Sequence, residues 1–150
     1  ALPTEGWGAC ALDGRLVVSD GSDTLFFYDP KTMAALGSVA VTDDGRPVSR
    51  LNELETVAGR IWANVWGDSR IAVIDPATGR VAAWVDCSGL RPGTIAADFE
   101  NVLNGIAHDP AAGRVWVTGK RWPEIYEIAV PGLPTGGASA PGLGGQGARP

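Results

Sequence analysis

The residues best suited to chemistry are concentrated in one stretch, Leu51–Trp66, which reads LNELETVAGRIWANVW. Two indoles, two carboxylates and two carboxamides alternate there with Leu, Val, Ile and Ala. Carboxylates exchange protons, whereas carboxamides and indole N–H groups donate hydrogen bonds to an oxygen. A plain core strand needs none of these groups. The stretch therefore predicts a strand pair that provides apolar filling and also a polar, aromatic edge.

The second half of this stretch alternates with a period of two, as β-strands do. One face carries Ile61, Ala63 and Val65, and the other carries Trp62, Asn64 and Trp66. Because both faces are occupied by such side chains, we expect the sheet that contains this strand to be packed between neighbours on both sides.

A repeat runs through the chain. A Gly-Arg pair opens a strand at Gly14, Gly59 and Gly113, which are 45 and 54 residues apart. Asp-Pro pairs follow the first two at Asp29 and Asp75, where Asp hydrogen-bonds its own turn and Pro fixes φ. Four short strands every 45 residues or so are typical of a β-propeller blade, and helical spacing is nowhere sustained.

These repeats predict an all-β fold, a β-propeller of which the chain holds three four-stranded blades, the last one incomplete. We place the blades near residues 5–42, 51–87 and 103–129, within one partial propeller domain at 1–130. The innermost strand of the second blade should start near Leu54. Residues 131–150 are rich in Gly and Pro and are predicted to be a disordered tail. Since a ring needs about four to eight blades, we expect blades and a closing strand to be missing on the N-terminal side.

Aligning the repeats on their glycines predicts which side chains meet. Trp66 and Lys120 each lie seven residues after the Gly of their repeat, where a second strand ends. Trp7 and Asn52 each lie seven residues before such a Gly, where an innermost strand starts. The start of one strand and the end of the next are neighbours in an antiparallel pair. These four side chains should therefore converge at one mouth of the propeller channel.

Composition narrows the range of partners. The chain has 150 residues, 45% of them hydrophobic, with a net charge of -5 and a pI near 4.7. This length and apolar content suit one folded domain. A nucleic acid or an anionic membrane would require clustered Lys and Arg, whereas the basic residues here are scattered, so neither partner is expected. The two cysteines, Cys10 and Cys87, leave the redox compartment open.

Six short motifs follow one another along the chain: EGWG at 5–8, SDGS at 19–22, LNELE at 51–55, ANVW at 63–66, LNGIA at 103–107 and TGKRWP at 118–123. Together they resemble the plant-type glutaminyl-peptide cyclotransferases, over residues 5 to 128. The resemblance implies a five-bladed β-propeller that converts the N-terminal glutamine of a peptide or protein to pyroglutamate and releases ammonia. It implies no zinc and no other cofactor. This chain would then hold the last three blades of the five.

The resemblance also implies roles for single residues. Asn52 and Lys120 would be catalytic, holding the carboxamide oxygen of the substrate as negative charge develops on it. The substrate-binding residues would be Trp7, Trp66, Glu5, Asn104 and Trp122, and no residue would bind a metal. Trp7 and Trp66 would wall the pocket against water. Glu5 is the one local candidate for a proton carrier.

The upstream blades of the family carry a proton-shuttling glutamate and a further tryptophan. Neither segment occurs in this sequence, so we expect little ammonia release from the chain alone. Members of the family are typically secreted, periplasmic or vacuolar, which suggests a secreted or periplasmic protein. Glu53 and Glu55 are interpreted as structural or solvated, and His108 as an ordinary surface or core histidine.

Each candidate residue also has a purely structural interpretation. Tryptophans fill cores and the spaces between blades, Asn52 could cap a turn or tie adjacent blades, and Lys120 could be a solvated loop residue. A second hypothesis of another class is thus a non-catalytic propeller segment that binds a peptide or protein partner at the channel mouth. Exposed blade edges could also favour association of the chain with other molecules.

Overall fold

The computed structural model describes residues 4–96, 98 and 100–132, which form strands and turns. Thirteen strands and no helix occur in these residues, so none of them belongs to a helix long enough to cross a membrane. The strands are β1 Gly8–Leu12, β2 Arg15–Ser19, β3 Thr24–Tyr28, β4 Ala35–Ala40, β5 Thr42–Asp43, β6 Arg46–Pro47, β7 Leu51–Val57, β8 Arg60–Val65, β9 Arg70–Ile74, β10 Val81–Asp86, β11 Leu103–Asp109, β12 Arg114–Gly119 and β13 Tyr126–Ile128. The predicted tail, 131–150, lies outside the described residues from 133 onward.

The strands form four antiparallel sheets. Sheet 1 contains β1 to β4, sheet 2 contains β7 to β10, sheet 3 contains β11 to β13, and the short hairpin of β5 and β6 is sheet 4. Within each sheet the strands pair in chain order, and β7 contacts β1 on one side and β11 on the other. The all-β prediction is confirmed, and sheets 1, 2 and 3 correspond to the three repeats that the sequence shows.

The Asp-Pro pairs at Asp29 and Asp75 close tight turns, as predicted. Asp29 Oδ1 accepts the backbone N–H groups two and three residues further on, at 2.9 and 2.7 Å. Asp75 Oδ1 does the same at 2.9 and 3.2 Å. Each turn joins the third strand of its sheet to the fourth, so the repeated turns have the same place in sheets 1 and 2.

The hairpin of sheet 4 is the one sheet that the repeat did not predict. Its two strands have only two residues each, too few to show a period, and they are joined by Asp44 and Gly45, both with positive φ. Such a pair is the usual sequence signal of a two-residue hairpin turn. The hairpin reaches sheet 2, where the Trp84 indole N–H donates to Asp43 Oδ2 at 3.0 Å.

The core lies on both faces of sheet 2. One apolar cluster joins Ile61, Ala63 and Val65 of β8 to buried side chains of sheet 1. A second cluster joins Trp62 to buried side chains of sheet 3, and Asn64 on the same face is fully buried. The prediction that β8 is packed between neighbours on both sides is therefore confirmed.

The first strands of sheets 2 and 3, β7 and β11, each contain a β-bulge. Leu51 pairs with Val65 and Leu54 with Ala63, so Asn52 and Glu53 together face the single residue Asn64. In β11, Leu103 pairs with Gly119 and Ile106 with Val117, so Asn104 and Gly105 together face Thr118. We call these the β7 bulge (Asn52, Glu53) and the β11 bulge (Asn104, Gly105). The motifs LNEL and LNGI thus form the same irregularity.

The β7 bulge explains why the start of this strand was predicted wrongly. Strict alternation begins at Leu54, whereas β7 begins at Leu51. The extra residue in a bulge changes which face the next side chains occupy, so a period of two breaks there. The three residues before Leu54 therefore do not look like a strand in the sequence.

Sheets 1 and 2 approach each other closely at Gly8. A methyl group there would overlap the Asn52 carbonyl oxygen and come within 2.7 Å of Glu53 Cα. We expect Gly8→Ala to lower the free energy of unfolding by about 1–3 kcal/mol, because backbone atoms cannot move aside as a side chain would. Urea unfolding measures this, with Gly89→Ala as control, since a methyl group at Gly89 would meet no atom within 4 Å. Equal midpoints for the two variants would contradict the close approach.

Candidate active site

Two indoles meet at one end of sheets 1 and 2. The ring centroids of Trp7 and Trp66 are 5.9 Å apart, and their planes are inclined by 57°. The backbone N–H of Trp7 donates to the Ser19 carbonyl oxygen at 2.9 Å, and the backbone N–H of Trp66 donates to the Arg50 carbonyl oxygen at 2.8 Å. These bonds fix one residue just before β1 and the other just after β8. Trp7 is 39% exposed, so the indole pair forms a wall that solvent reaches.

Lys120 completes this group from sheet 3. Its Nζ lies 4.1 Å from the Trp66 ring centroid, a cation–π distance. The backbone N–H of Lys120 donates to the Val102 carbonyl oxygen at 2.9 Å, and this bond holds the residue just after β12. We call Trp7, Trp66 and Lys120 the indole–ammonium cluster. The alignment on the repeated glycines predicted that these three side chains converge with that of Asn52, and the structure brings the three together.

Asn52, the fourth residue of that prediction, lies in the β7 bulge. It is only 5% exposed. Its backbone carbonyl oxygen accepts a hydrogen bond from the Ser19 hydroxyl at 2.5 Å. The Ser19 carbonyl oxygen in turn accepts the backbone N–H of Trp7. The backbone of Asn52 is therefore tied, through one residue, to the end of sheet 1 that carries Trp7.

The other predicted site residues have different surroundings. Glu5 is exposed and precedes β1, and Asn104 is half-buried in the β11 bulge, the position in sheet 3 that Asn52 has in sheet 2. Trp122 packs with sheet 3 instead of with the other two indoles. Its indole N–H donates to the Asn101 carbonyl oxygen at 3.1 Å, and its ring meets Tyr126 edge to face at 6.2 Å.

Glu53 is the residue whose surroundings the sequence did not reveal. It was interpreted as structural or solvated, and the structure removes the solvated alternative, because Oε2 is enclosed without a hydrogen-bond partner among the described residues. Burial, together with the nearby charge of Glu55, raises the pKa of Glu53 to about 7, although the Ile106 N–H partly stabilises the carboxylate. Glu53 can therefore gain or lose a proton near neutral pH.

Glu55 and His108 lie further along the innermost strands. Burial raises the pKa of Glu55, and His108 counteracts this rise in part. His108 Nδ1 lies 3.1 Å from the Thr56 carbonyl oxygen, so this ring joins sheet 3 to sheet 2. Burial also raises the pKa of Cys87 to about 11, which keeps that thiol protonated. In the part of the chain that the structure describes, no group of three or more His, Cys, Asp or Glu is placed to hold a metal ion.

Fold and site together define an all-β protein of repeated antiparallel sheets, with a candidate binding site where the ends of three sheets meet. The family described as Glutamine cyclotransferase matches residues 1–130. The chain belongs to this family. The resemblance that the six motifs carry is therefore confirmed.

Two relatives are similar to most of the chain. A glutaminyl-peptide cyclotransferase from Arabidopsis thaliana is 43% identical over 127 residues, which are 83% of this chain and 39% of that protein. The crystal structure of Myxococcus xanthus glutaminyl cyclase matches with a TM-score of 0.82 and 44% identity, over 85% of this chain and 56% of that one. The chain thus spans about half the length, or less, of these relatives.

A more distant match concerns the fold alone. Hydrazine synthase from Kuenenia stuttgartiensis has a TM-score of 0.57 and 16% identity, over 85% of this chain and 33% of that chain. Repeated antiparallel sheets of this kind therefore occur with unrelated chemistry, and an argument about function has to rest on the site.

Proposed function

We propose that this chain supplies part of the active site of a glutaminyl-peptide cyclotransferase, which converts the N-terminal glutamine of a peptide to pyroglutamate and releases ammonia. The observation that carries the proposal is the indole–ammonium cluster, in a chain of this family. A cation held over an indole, beside a second indole, is suited to bind a small polar group and to shield it from water.

The proposed reaction sets three requirements. The α-amine must be unprotonated to attack the γ-carboxamide carbon, the carbonyl oxygen gains negative charge, and ammonia leaves with an added proton. Because the ring closes within one molecule, the site has mainly to hold the substrate in a reactive conformation. Donors directed at the developing oxyanion contribute most of the remaining stabilisation.

The residues of the cluster meet these requirements as follows. Lys120 Nζ would donate to the carboxamide oxygen as its charge grows, and the Asn52 side chain would be the second donor. Trp7 and Trp66 would flank the glutamine side chain and exclude water, and the Trp7 indole N–H could also donate. A carboxyl group would carry the proton from the amine to the leaving ammonia. None of these roles requires a metal ion or another cofactor.

We also propose that sheets 1, 2 and 3 are the last three blades of a five-bladed β-propeller, within a domain at 1–130. The contacts of β7 with β1 and with β11 support this arrangement, since innermost strands are neighbours around a propeller channel. Glu5, Asn104 and Trp122 remain proposed substrate-binding residues. Of these, Asn104 has the strongest support, because it has the same place in its bulge as Asn52.

A comparison of substrates tests the proposed function. We expect a Gln-initiated dipeptide to change the tryptophan fluorescence of the chain and to lose ammonia, slowly, to give a pyroglutamyl product that mass spectrometry detects. An Asn-initiated dipeptide is the control, because its shorter side chain cannot form the same five-membered ring. High protein concentration and long incubation are needed, since little turnover is expected from this length of chain.

Two tryptophan variants show whether the fluorescence change comes from the cluster. Trp66→Phe should abolish the response to the Gln-initiated dipeptide, whereas Trp116→Phe should keep it, because Trp116 stacks on Arg114 in sheet 3. Binding without any ammonia release would favour the second hypothesis, a non-catalytic segment that binds peptides. Equal responses to the Gln- and Asn-initiated dipeptides would contradict the proposed function.

A further inference from the structure

Two buried polar atoms next to Asn52 have no hydrogen-bond partner among the described residues. They are Glu53 Oε2 and Asn64 Nδ2. Asn64 is the single residue of β8 that faces the β7 bulge, so these two side chains are neighbours across the strand pair. Buried side chains without partners are rare because each costs about 1–3 kcal/mol, and they therefore call for an explanation.

The same two side chains hold the backbone of sheet 3. The Gly105 N–H donates to Asn64 Oδ1 at 2.8 Å. The next N–H, that of Ile106, lies near the Glu53 carboxyl group and lowers its pKa, against the larger effect of burial. Both N–H groups belong to residues at or next to the β11 bulge, which interrupts the regular alternation of the strand. Glu53 and Asn64 thus join the two bulges to each other.

We propose that Glu53 is a positioning residue, whose uncharged carboxyl group fixes the β7 bulge, and with it Asn52, against the β11 bulge. This inference rests on the proposed function for its catalytic meaning, because Asn52 would act on the substrate and Glu53 would act only through Asn52. The contact itself requires no substrate, so it can be tested separately.

The charge of the Glu53 carboxyl group controls this contact. The titratable groups that interact with it are Glu55 on its own strand and Cys10 on β1, and on β8 it faces the uncharged Asn64. His108 on β11 interacts with Glu55. An ionised Glu53 would add a second negative charge beside Glu55 in a place where Oε2 has no donor. It would turn toward solvent and release the Ile106 N–H. We therefore expect the contact to be closed while Glu53 is uncharged and to open when Glu53 ionises.

Backbone hydrogen exchange tests the proposal without any enzymatic assay. We expect the protection of the Ile106 amide, measured by NMR and corrected for intrinsic exchange, to fall at least about tenfold between pH 5.5 and pH 8.5. In Glu53→Gln, which keeps an uncharged acceptor, protection should change less than about twofold. Glu55→Gln is the matched control on the same strand. This variant should lose Ile106 protection with rising pH as the wild type does. The midpoint of that loss should lie at lower pH, because the neighbouring negative charge is gone.

Two further measurements keep the outcome decisive. If Glu53→Gln does not fold, the 13C chemical shift of the wild-type Glu53 carboxyl carbon should titrate near pH 7, and a midpoint near 4.5 would overturn the proposal. Constant Ile106 protection in the wild type would overturn it too. Where ammonia release is measurable, kcat of Glu53→Gln should extend to higher pH than that of the wild type, with KM little changed. Loss of ammonia release in every variant, together with pH-dependent Ile106 protection, would reject the proposed function and leave the positioning contact intact.

Discussion

Replacing Lys120 with methionine is expected to lower the rate of ammonia release from a Gln-initiated dipeptide by about 10²- to 10³-fold, the usual cost of removing one oxyanion donor. Methionine keeps an unbranched stem that can still pack on the Trp66 indole, which Nζ now approaches to 4.1 Å. The substitution therefore removes the charge and the N–H donors while it changes the packing little. The measurement is the ratio of wild-type to variant rates in one assay, so slow turnover by this length of chain does not obscure the result.

The sequence offers a matched control for this experiment. Lys31 is the other lysine of the chain, and it is exposed in the turn that follows β3, far along the chain from the site. Lys31→Met changes the same residue type and net charge, and it should leave the rate within about twofold of the wild type. Lys120→Arg should give an intermediate rate, because a planar guanidinium keeps the charge and changes the direction of its donors. Equal rates for Lys120→Met and wild type would remove Lys120 from the mechanism.

The place of the indole–ammonium cluster could be predicted because it depends only on the repeat. Trp66 and Lys120 occupy the same position after their glycines, and similar sheets stacked side by side bring equivalent positions to the same end. No knowledge of the packing between sheets was needed for that step. The contact distance could not be predicted from the sequence, because equivalent positions in neighbouring sheets need not be in direct contact.

The surroundings of Glu53 could not be predicted, for two physical reasons. The β7 bulge adds a residue that breaks the alternation, so the face on which Glu53 lies cannot be read from its neighbours. The Ile106 N–H of another sheet also acts on the Glu53 carboxyl group, and such an interaction leaves no local signal in the sequence. The repeated LNEL and LNGI motifs do carry a signal, because both give a bulge, but its meaning becomes visible only once the pairing is known.

The hairpin of sheet 4 was missed for a simpler reason. Strands of two residues have no period, and Asp44-Gly45 was the only indication in the sequence. Trp122 shows the opposite case, in which a motif match alone suggested substrate binding. Its hydrogen bond to Asn101 and its contact with Tyr126 give it a packing role as well, so its part in binding remains a proposal.

Replacing Glu53 with glutamine is expected to make the stability of the chain less dependent on pH. The pKa of Glu53 is raised to about 7 in the folded chain, against 4.5 for an ordinary glutamate, which approximates the unfolded chain. A carboxyl group with a raised pKa favours folding fully below pH 4.5, and this contribution is lost as pH rises through 7. At 1.36 kcal/mol for each pKa unit, the wild type should lose up to about 3 kcal/mol over this range through Glu53. Glu53→Gln cannot ionise and should lose none of it.

Urea unfolding of both proteins at pH 4.5, 6, 7 and 8 measures this difference. All other titrating groups contribute nearly equally to the two curves, so the difference between them isolates Glu53. Glu124→Gln is the control, because Glu124 is exposed in the segment before β13 and its substitution should leave the wild-type curve unchanged in shape. The stability of Glu53→Gln relative to wild type should rise between pH 4.5 and about 7 and then level off. Parallel curves would mean that Glu53 has an ordinary pKa, and in that case neither the burial of Oε2 nor the nearby Glu55 would oppose its charge.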